Sequence, residues 1–319
     1  VTAKMLRVRM MSGGSIAALP LRELSDALGW SEHPDHPVRS LKRHLECRCG
    51  QSRFRQRLLS EDGAALLDDD VLDGHTELQL VLLEFGQTSQ DRATELVVAA
   101  SNNDASLVEV LLQRPQDPNL PVRGRTPLFC AAYHGRLGIV RLLLEASAET
   151  DSARCDDGAT PLFVACQFGH LEIARLLLEA KADQDRDVKD GPTPLIIACQ
   201  SNYVEVVRLL LSERADSNKT DPIGGTPLSM ASALGYIEII RLLLEANADK
   251  DKAQRDGLTP LFFACQGSDA EVVRVLLEAR ADKNKACQNG VSPLSMARMK
   301  QHEDVLRLLQ EFTHDVSNE

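Results

Sequence analysis

Three groups of side chains in this chain are of types that could do chemistry. His44, Cys47 and Cys49 read His-x-x-Cys-x-Cys, and imidazole and thiolate are donors that zinc takes. Zinc sites pair such ligands with a second pair elsewhere; none follows, and the cluster reads as a helix end with incidental thiols. Cys130 has His134 one helical turn away, and Cys287 has no such neighbour. A nucleophilic thiol needs a base within hydrogen-bond reach; these residues are assigned to packing and surface. Cys166, Cys199 and Cys265 each stand in an Ala-Cys-Gln string, at spacings of 33 and 66 residues. A thiol that recurs with a structural period is a small core side chain rather than a reactive group. Phosphate-loop, His-Glu-x-x-His and Gly-x-Ser-x-Gly strings are absent from the sequence, and with them the usual signatures of phosphate, metal and acyl chemistry. The expectation is no catalytic residue, no cofactor, no metal and no enzyme.

Composition narrows the alternatives. The 319 residues hold 36 Lys and Arg against 47 Asp and Glu, a formal net charge of −11. That sign argues against a nucleic-acid binder, which needs a basic footprint. Hydrophobic residues are 43% of the chain and charged ones 26%, the balance of a folded protein. No apolar run nears the ~18 residues that span a bilayer, so no membrane insertion is expected. Eight Cys are too few for a disulfide framework, and a reducing cytoplasmic or nuclear compartment fits them best. Val1-Thr-Ala-Lys-Met5 lacks the pattern of a secretory signal; starting without Met, the chain reads as a processed product or a fragment.

The elements that would position these residues repeat. Thr126-Pro-Leu, Thr160-Pro-Leu, Thr193-Pro-Leu, Thr226-Pro-Leu, Thr259-Pro-Leu and Ser292-Pro-Leu follow one another at 34, 33, 33, 33 and 33 residues. A Gly stands two residues before each, and Leu-rich strings such as Val140-Arg-Leu-Leu-Leu-Glu-Ala146 and Ile240-Arg-Leu-Leu-Leu-Glu-Ala246 follow at fixed offset. Thr caps a helix, and Pro in its first turn lacks only an N–H that would be orphaned anyway. The period and the Gly-x-Thr-Pro-Leu start resemble ankyrin repeats. A degenerate first unit from Thr94 and a polar last unit, Ser292–Phe312, read as caps, which makes seven units over 94–312.

Two features depart from that family. Its usual His after Thr-Pro-Leu is replaced by Phe129, Phe163, Ile196, Ser229, Phe262 and Ser295, so the hydrogen bonds of that His are replaced by apolar packing or absent. The 34-residue spacing puts one extra residue near Arg154-Cys155, a bulge in the hairpin row.

The first 86 residues read differently. Leu6–Met10 and Ile16–Leu21 alternate as strands around Ser12-Gly-Gly-Ser15, Val38, Leu41 and Leu45 mark an amphipathic helix, and Phe54–Leu59 and Glu77–Leu83 are further strands. This α+β order, with the strings Gln56–Leu59, Gly63–Leu66 and Glu77–Leu82, resembles ubiquitin-like domains of the β-grasp fold. The resemblance puts Met11, Leu59 and Val81, with Arg57 beside them, on the apolar recognition patch of that family. Residues 24–37, with Trp30, His33 and His36, are an insertion. No Gly-Gly terminus follows Leu83, which makes the domain an embedded recognition module. Its charge is uneven: Arg39, Lys42, Arg43, Arg48, Arg53, Arg55 and Arg57 stand against Glu46 alone between 38 and 57, and Glu61, Asp62, Asp68, Asp69, Asp70, Asp73 and Glu77 stand without Lys or Arg between 61 and 77. Two readings stand open there: solvated faces that neutralise one another, or a basic surface that steers an acidic partner.

The fold class expected is therefore mainly α, an ankyrin solenoid of about seven repeats behind a small α+β ubiquitin-like domain. Its boundaries are a domain over 1–86, a linker over 87–93, repeats over 94–312 and a tail over 313–319. The function expected is a monomeric, non-enzymatic adaptor that binds other proteins. Its array would take a client, and its first domain would engage ubiquitin-ligase or proteasome machinery. The competing reading is the targeting part of a larger enzyme: a ubiquitin ligase, kinase or acyltransferase. The ankyrin resemblance puts the concave, client-binding face on Arg123, Arg125, Tyr133, His134, Asp156, Asp157, Gln167, Phe168, Lys189, Asp190, Gln200, Arg255, Asp256 and Gln266. Tyr133 and Phe168 are its expected anchors, and the acidic tips imply a partly basic client.

Overall fold

The structure, a computed structural model, describes residues 5–10, 15–20, 37–68, 70, 72, 77–83, 89–114 and 116–312. Met11, nearly all of the 24–37 insertion, part of the 87–93 linker and the 313–319 tail lie outside the described residues. The chain divides into two compact units, Val1–Leu128 with Gly138–Glu149, and Phe129–Leu137 with Thr150–Glu319.

The first unit opens with a mixed sheet. Its strands are β1 (Met5–Met10), β2 (Ser15–Pro20), β3 (Gln56–Leu59), β4 (Ala65–Leu66) and β5 (Glu77–Leu82), in the order β2-β1-β5-β3-β4. β1 and β5 are parallel at its centre, with Val8 opposite Leu78, and the remaining pairings are antiparallel. Alternation fixes which face is inward. Leu6, Val8, Leu58, Leu78 and Leu80 are buried, and helix α1 (Pro37–Cys49) covers them with Val38, Leu41 and Leu45. Phe54 and Arg55 depart from the expected strand: Arg53–Arg55 is a 3₁₀ turn, closed by Arg55 N–H donating to Ser52 O at 2.9 Å. That turn carries the Arg53 side chain off the sheet into a buried site.

From Gln90 onward the described residues form fourteen helices. α2 (Gln90–Asn102) and α3 (Ala105–Leu112) make the first pair, with Ser89 and Asp104 as their caps. α4 (Pro127–Tyr133) and α5 (Leu137–Glu145) follow in sequence, and α6 (Pro161–Gln167) and α7 (Leu171–Glu179) make the next pair. α8 (Pro194–Gln200), α9 (Val204–Ser212), α10 (Pro227–Leu234) and α11 (Ile237–Glu245) continue the series. α12 (Pro260–Gly267), α13 (Ala270–Glu278), α14 (Pro293–Lys300) and α15 (Glu303–Glu311) complete it. In α6, α8, α10 and α12 the Thr hydroxyl accepts from the backbone three residues on, at 3.0–3.2 Å. The Thr-Pro pairs thus start the helices as their chemistry requires.

Successive pairs of the second unit are tied through their loops. Asp183 N–H donates to Asp151 Oδ1 at 3.1 Å, Asp216 N–H to Asp185 Oδ1 at 2.9 Å, and Asp249 N–H to Asn218 Oδ1 at 2.8 Å. Asp282 N–H repeats the bond to Asp251 Oδ1 at 2.7 Å. The residues in place of the family's His divide by chemistry. Phe129, Phe163, Ile196 and Phe262 are buried, while Ser229 closes a capping box with Thr226. The extra residue lies where the spacing put it. Gly158 N–H reaches back four residues to Arg154 O, against three from Gly191 to Val188 O.

Candidate protein-binding surfaces

In the second unit, Tyr133 ends α4 and Phe168 caps α6, so each ring stands where its helix stops and the backbone turns. Their centroids are 4.9 Å apart at 72°, an edge-to-face pair. Both rings are part open, Tyr133 at 37% and Phe168 at 40% exposure. Tyr133 stacks over buried Phe129 at 6.3 Å, His134 meets its edge at 5.0 Å, and His170 stands 6.3 Å from Phe168. The floor of this cluster is fixed from a residue that sequence reasoning passed over. Arg154 Cζ lies 5.3 Å from the Phe129 centroid while its Nε donates to Asp157 Oδ1 at 2.7 Å. The hydrogen bond to Asp157 raises the Arg154 pKa, and the same bond lowers that of Asp157. The signal was the extra residue beside Arg154.

The other expected contacts divide by location. Gln200, Gln266, Lys189, Asp190, Asp156, Arg255 and Asp256 are exposed, and Gln167 is half-buried. Asp157 is occupied by Arg154, so its charge is partly neutralised. The hairpin tips are joined by backbone bonds, Lys189 N–H to Asp157 O at 2.7 Å and Gln288 N–H to Asp256 O at 2.9 Å. Tyr203, Ile223 and Leu234 are also open, at 37%, 61% and 44%. Arg123 and Arg125 are exposed on a separate hairpin in the first unit, bridged through Val122 and Arg125.

The sheet has its own outward face. Arg57 pairs with Val81 and Leu59 with Gln79 across β3 and β5, on the side away from Leu58 and Leu80. Leu59 and Val81 are half-buried and Arg57 is exposed. Arg9 Nη2 meets Glu77 Oε1 at 3.1 Å in the neighbouring register.

The candidate chemistry takes its place in the fold. Cys166, Cys199 and Cys265 are fully buried. Burial pushes the Cys265 thiol up to about 12 and the other two higher still, far from reactive thiolates. Cys47 is exposed, while Cys49 donates to Gln51 O at 3.7 Å. Among the described residues no three metal-ligating side chains converge, and no described helix is long and apolar enough to cross a membrane.

Part of the basic run is paired inside the fold, with Arg39, Lys42 and Arg53 all meeting Asp68 of the acidic stretch. Arg53 is fully buried, its guanidinium 3.9 Å over the Phe54 ring. Its Nε donates to Glu145 Oε1 at 2.6 Å, its Nη2 to Glu109 Oε1 at 3.0 Å, and its Nη1 to Asp68. Arg39 Nη2 also reaches Glu109 at 3.1 Å, Lys42 Nζ reaches Asp68 at 2.7 Å, and Arg43 Nε reaches Glu145 at 2.6 Å. All seven residues belong to the first unit. Burial alone would raise the carboxyl pKa values, but the charges and hydrogen bonds of the cations outweigh it and hold Asp68 and Glu145 below their ordinary range. Burial likewise works against the Arg53 charge, and Glu145, Asp68 and Glu109 reverse its effect.

A family model of ankyrin repeats in three copies matches residues 96–187, 181–254 and 247–319. Among solved structures the chain is similar to the ankyrin repeat domain of Bcl-3, described as a unique member of the IkappaB protein family. That likeness has a TM-score of 0.62 and 26% identity, covering 71% of this chain and 100% of the other. No curated protein matches the sequence.

Proposed function

We propose, from the premise that this chain belongs to the ankyrin-repeat family, that it is an adaptor holding a client protein and a second partner. Ankyrin repeats are modules that bind other proteins, which supports a protein-binding role for the repeat region. The finer reading places the client on the face around Tyr133 and Phe168. The observation that carries it is the edge-to-face pair of those rings, part open on a floor braced by Arg154 and Phe129. Rigid, half-exposed aromatic side chains are what interface hot spots use.

The sheet is read as a ubiquitin-like module whose partner belongs to ubiquitin-ligase or proteasome machinery. Support for this comes from the order β2-β1-β5-β3-β4, with parallel central strands and a helix on one face, and from Leu59 and Val81 on the other. The test is affinity capture with the full chain, followed by titration of each identified protein. Tyr133→Ala with Phe168→Ala should weaken one class of partner, and Leu59→Asp with Val81→Asp another. Partners insensitive to both pairs would refute the assignment of surfaces.

A further inference from the structure

The second helix of six repeats carries Arg at one position: Arg141, Arg175, Arg208, Arg241, Arg274 and Arg307. All six are exposed, and Arg208 and Arg241 lie 3.4 Å from Glu238 and Glu271 of the next repeat. The first repeat alone reverses the sign, with Glu109 there. That side chain is only 21% exposed and lies within 3.1 Å of both Arg53 and Arg39. Neither bond is local in sequence; Arg53 and Glu109 are 56 residues apart.

Arginine suits this place because its planar guanidinium directs donors along three edges at once. Nε, Nη1 and Nη2 of Arg53 each meet a different carboxylate, from Glu145, Asp68 and Glu109. One of these acids belongs to the sheet domain and two to the first and second repeats. A guanidinium so buried is tolerable only while all its partners are present. An end repeat must either present a wet, polar outer face or be covered, and Glu109 lies on a covered one.

We infer that the N-terminal sheet domain is the amino-terminal cap of the first repeat, docked through Arg53 on Glu109 and Glu145. Arg39 and Arg43 of α1 take their acidic partners from this chain's own repeats, while Lys42 pairs with Asp68 of the sheet domain. The degenerate first repeat is then an internal unit, covered by the sheet domain within the first compact unit.

The test is amide hydrogen exchange on the full chain carrying Glu109→Arg. That substitution restores the residue found at this position in the six other repeats, so the helix itself accepts it, while one like charge then faces both Arg53 and Arg39. A second variant, Arg53→Lys, keeps the charge but cannot reach three carboxylates. Amides of α2 and α3 should exchange at least tenfold faster in Glu109→Arg, and faster to a lesser degree in Arg53→Lys, relative to those of α7 in the same molecules. Exchange of α2 and α3 unchanged in both variants would overturn the inference, whatever happens to the sheet.

Discussion

Arg53 Nε and Glu145 Oε1 stand 2.6 Å apart, although 92 residues separate them in sequence. The contact joins a turn of the sheet domain to the second helix of the second repeat, within one compact unit. Burying such a pair costs hydration free energy that its own attraction only partly offsets, so its removal is far more damaging than its presence is stabilising.

Arg53→Met should therefore destabilise the first unit by about 3–5 kcal/mol, because Asp68, Glu109 and Glu145 lose their shared cation. Glu145→Gln keeps the shape and a hydrogen-bond acceptor, and should cost only ~1–3 kcal/mol. Urea unfolding followed by exchange of sheet and α3 amides reports both. Equal, small losses would mean that the network is solvated in solution.

Acid should loosen the same unit. Asp68 and Glu145 have folded pKa values below their ordinary 3.8 and 4.5. An acid whose folded pKa is depressed contributes stability above its unfolded value, and that contribution disappears as pH falls through the folded one. Stability from these two groups should thus be level near neutrality and decline below about pH 4.5. Glu46, raised by burial and by Glu145, works weakly the other way. Urea midpoints across this range should fall steeply for the parent chain and more gently for Arg53→Met; parallel curves would contradict the assignment.

Much of the repeat region was legible because each unit carries its own instructions. Thr193 caps α8 and Pro194 starts it with no help from distant residues. The grip of Arg53 was not legible from local pattern, since its partners lie 15, 56 and 92 residues away. One trace existed: Glu109 occupies a position where every later repeat has Arg. The half-open rings of Tyr133 and Phe168 follow from their place at helix ends, but their bracing by Arg154 depends on how a widened hairpin folds back.

Side-chain depth within α7 gives a sharper test of the repeat core. Leu177 is fully buried and Leu176 only half-buried, although both stand in the same Leu-rich string. Leu177→Ala should cost about 2–5 kcal/mol and Leu176→Ala distinctly less. Thermal unfolding of the two variants ranks them, and a reversed order would place the wrong face of the helix inward.

The turn between α6 and α7 should reject any side chain at Gly169. Its φ is +70°, and a Cβ there would strike the Tyr203 ring of the next repeat. Gly138, inside α5, has nothing within 4 Å of the same atom and no positive φ. Gly169→Ala should destabilise by ~1–3 kcal/mol, while Gly138→Ala should stabilise by ~0.4–1 kcal/mol through the unfolded chain. Paired melting curves settle the contrast, which fails if the two substitutions shift stability in the same direction.

Calorimetric titration of the identified client into the full chain and its Tyr133→Ala and Phe168→Ala variants tests the adaptor reading most directly. Each ring should contribute ~1–3 kcal/mol to client affinity as a buried anchor, with the paired variant Leu59→Asp and Val81→Asp binding that client as the parent does. Client affinity unchanged by loss of either ring, or lost with the sheet variant instead, would contradict the account.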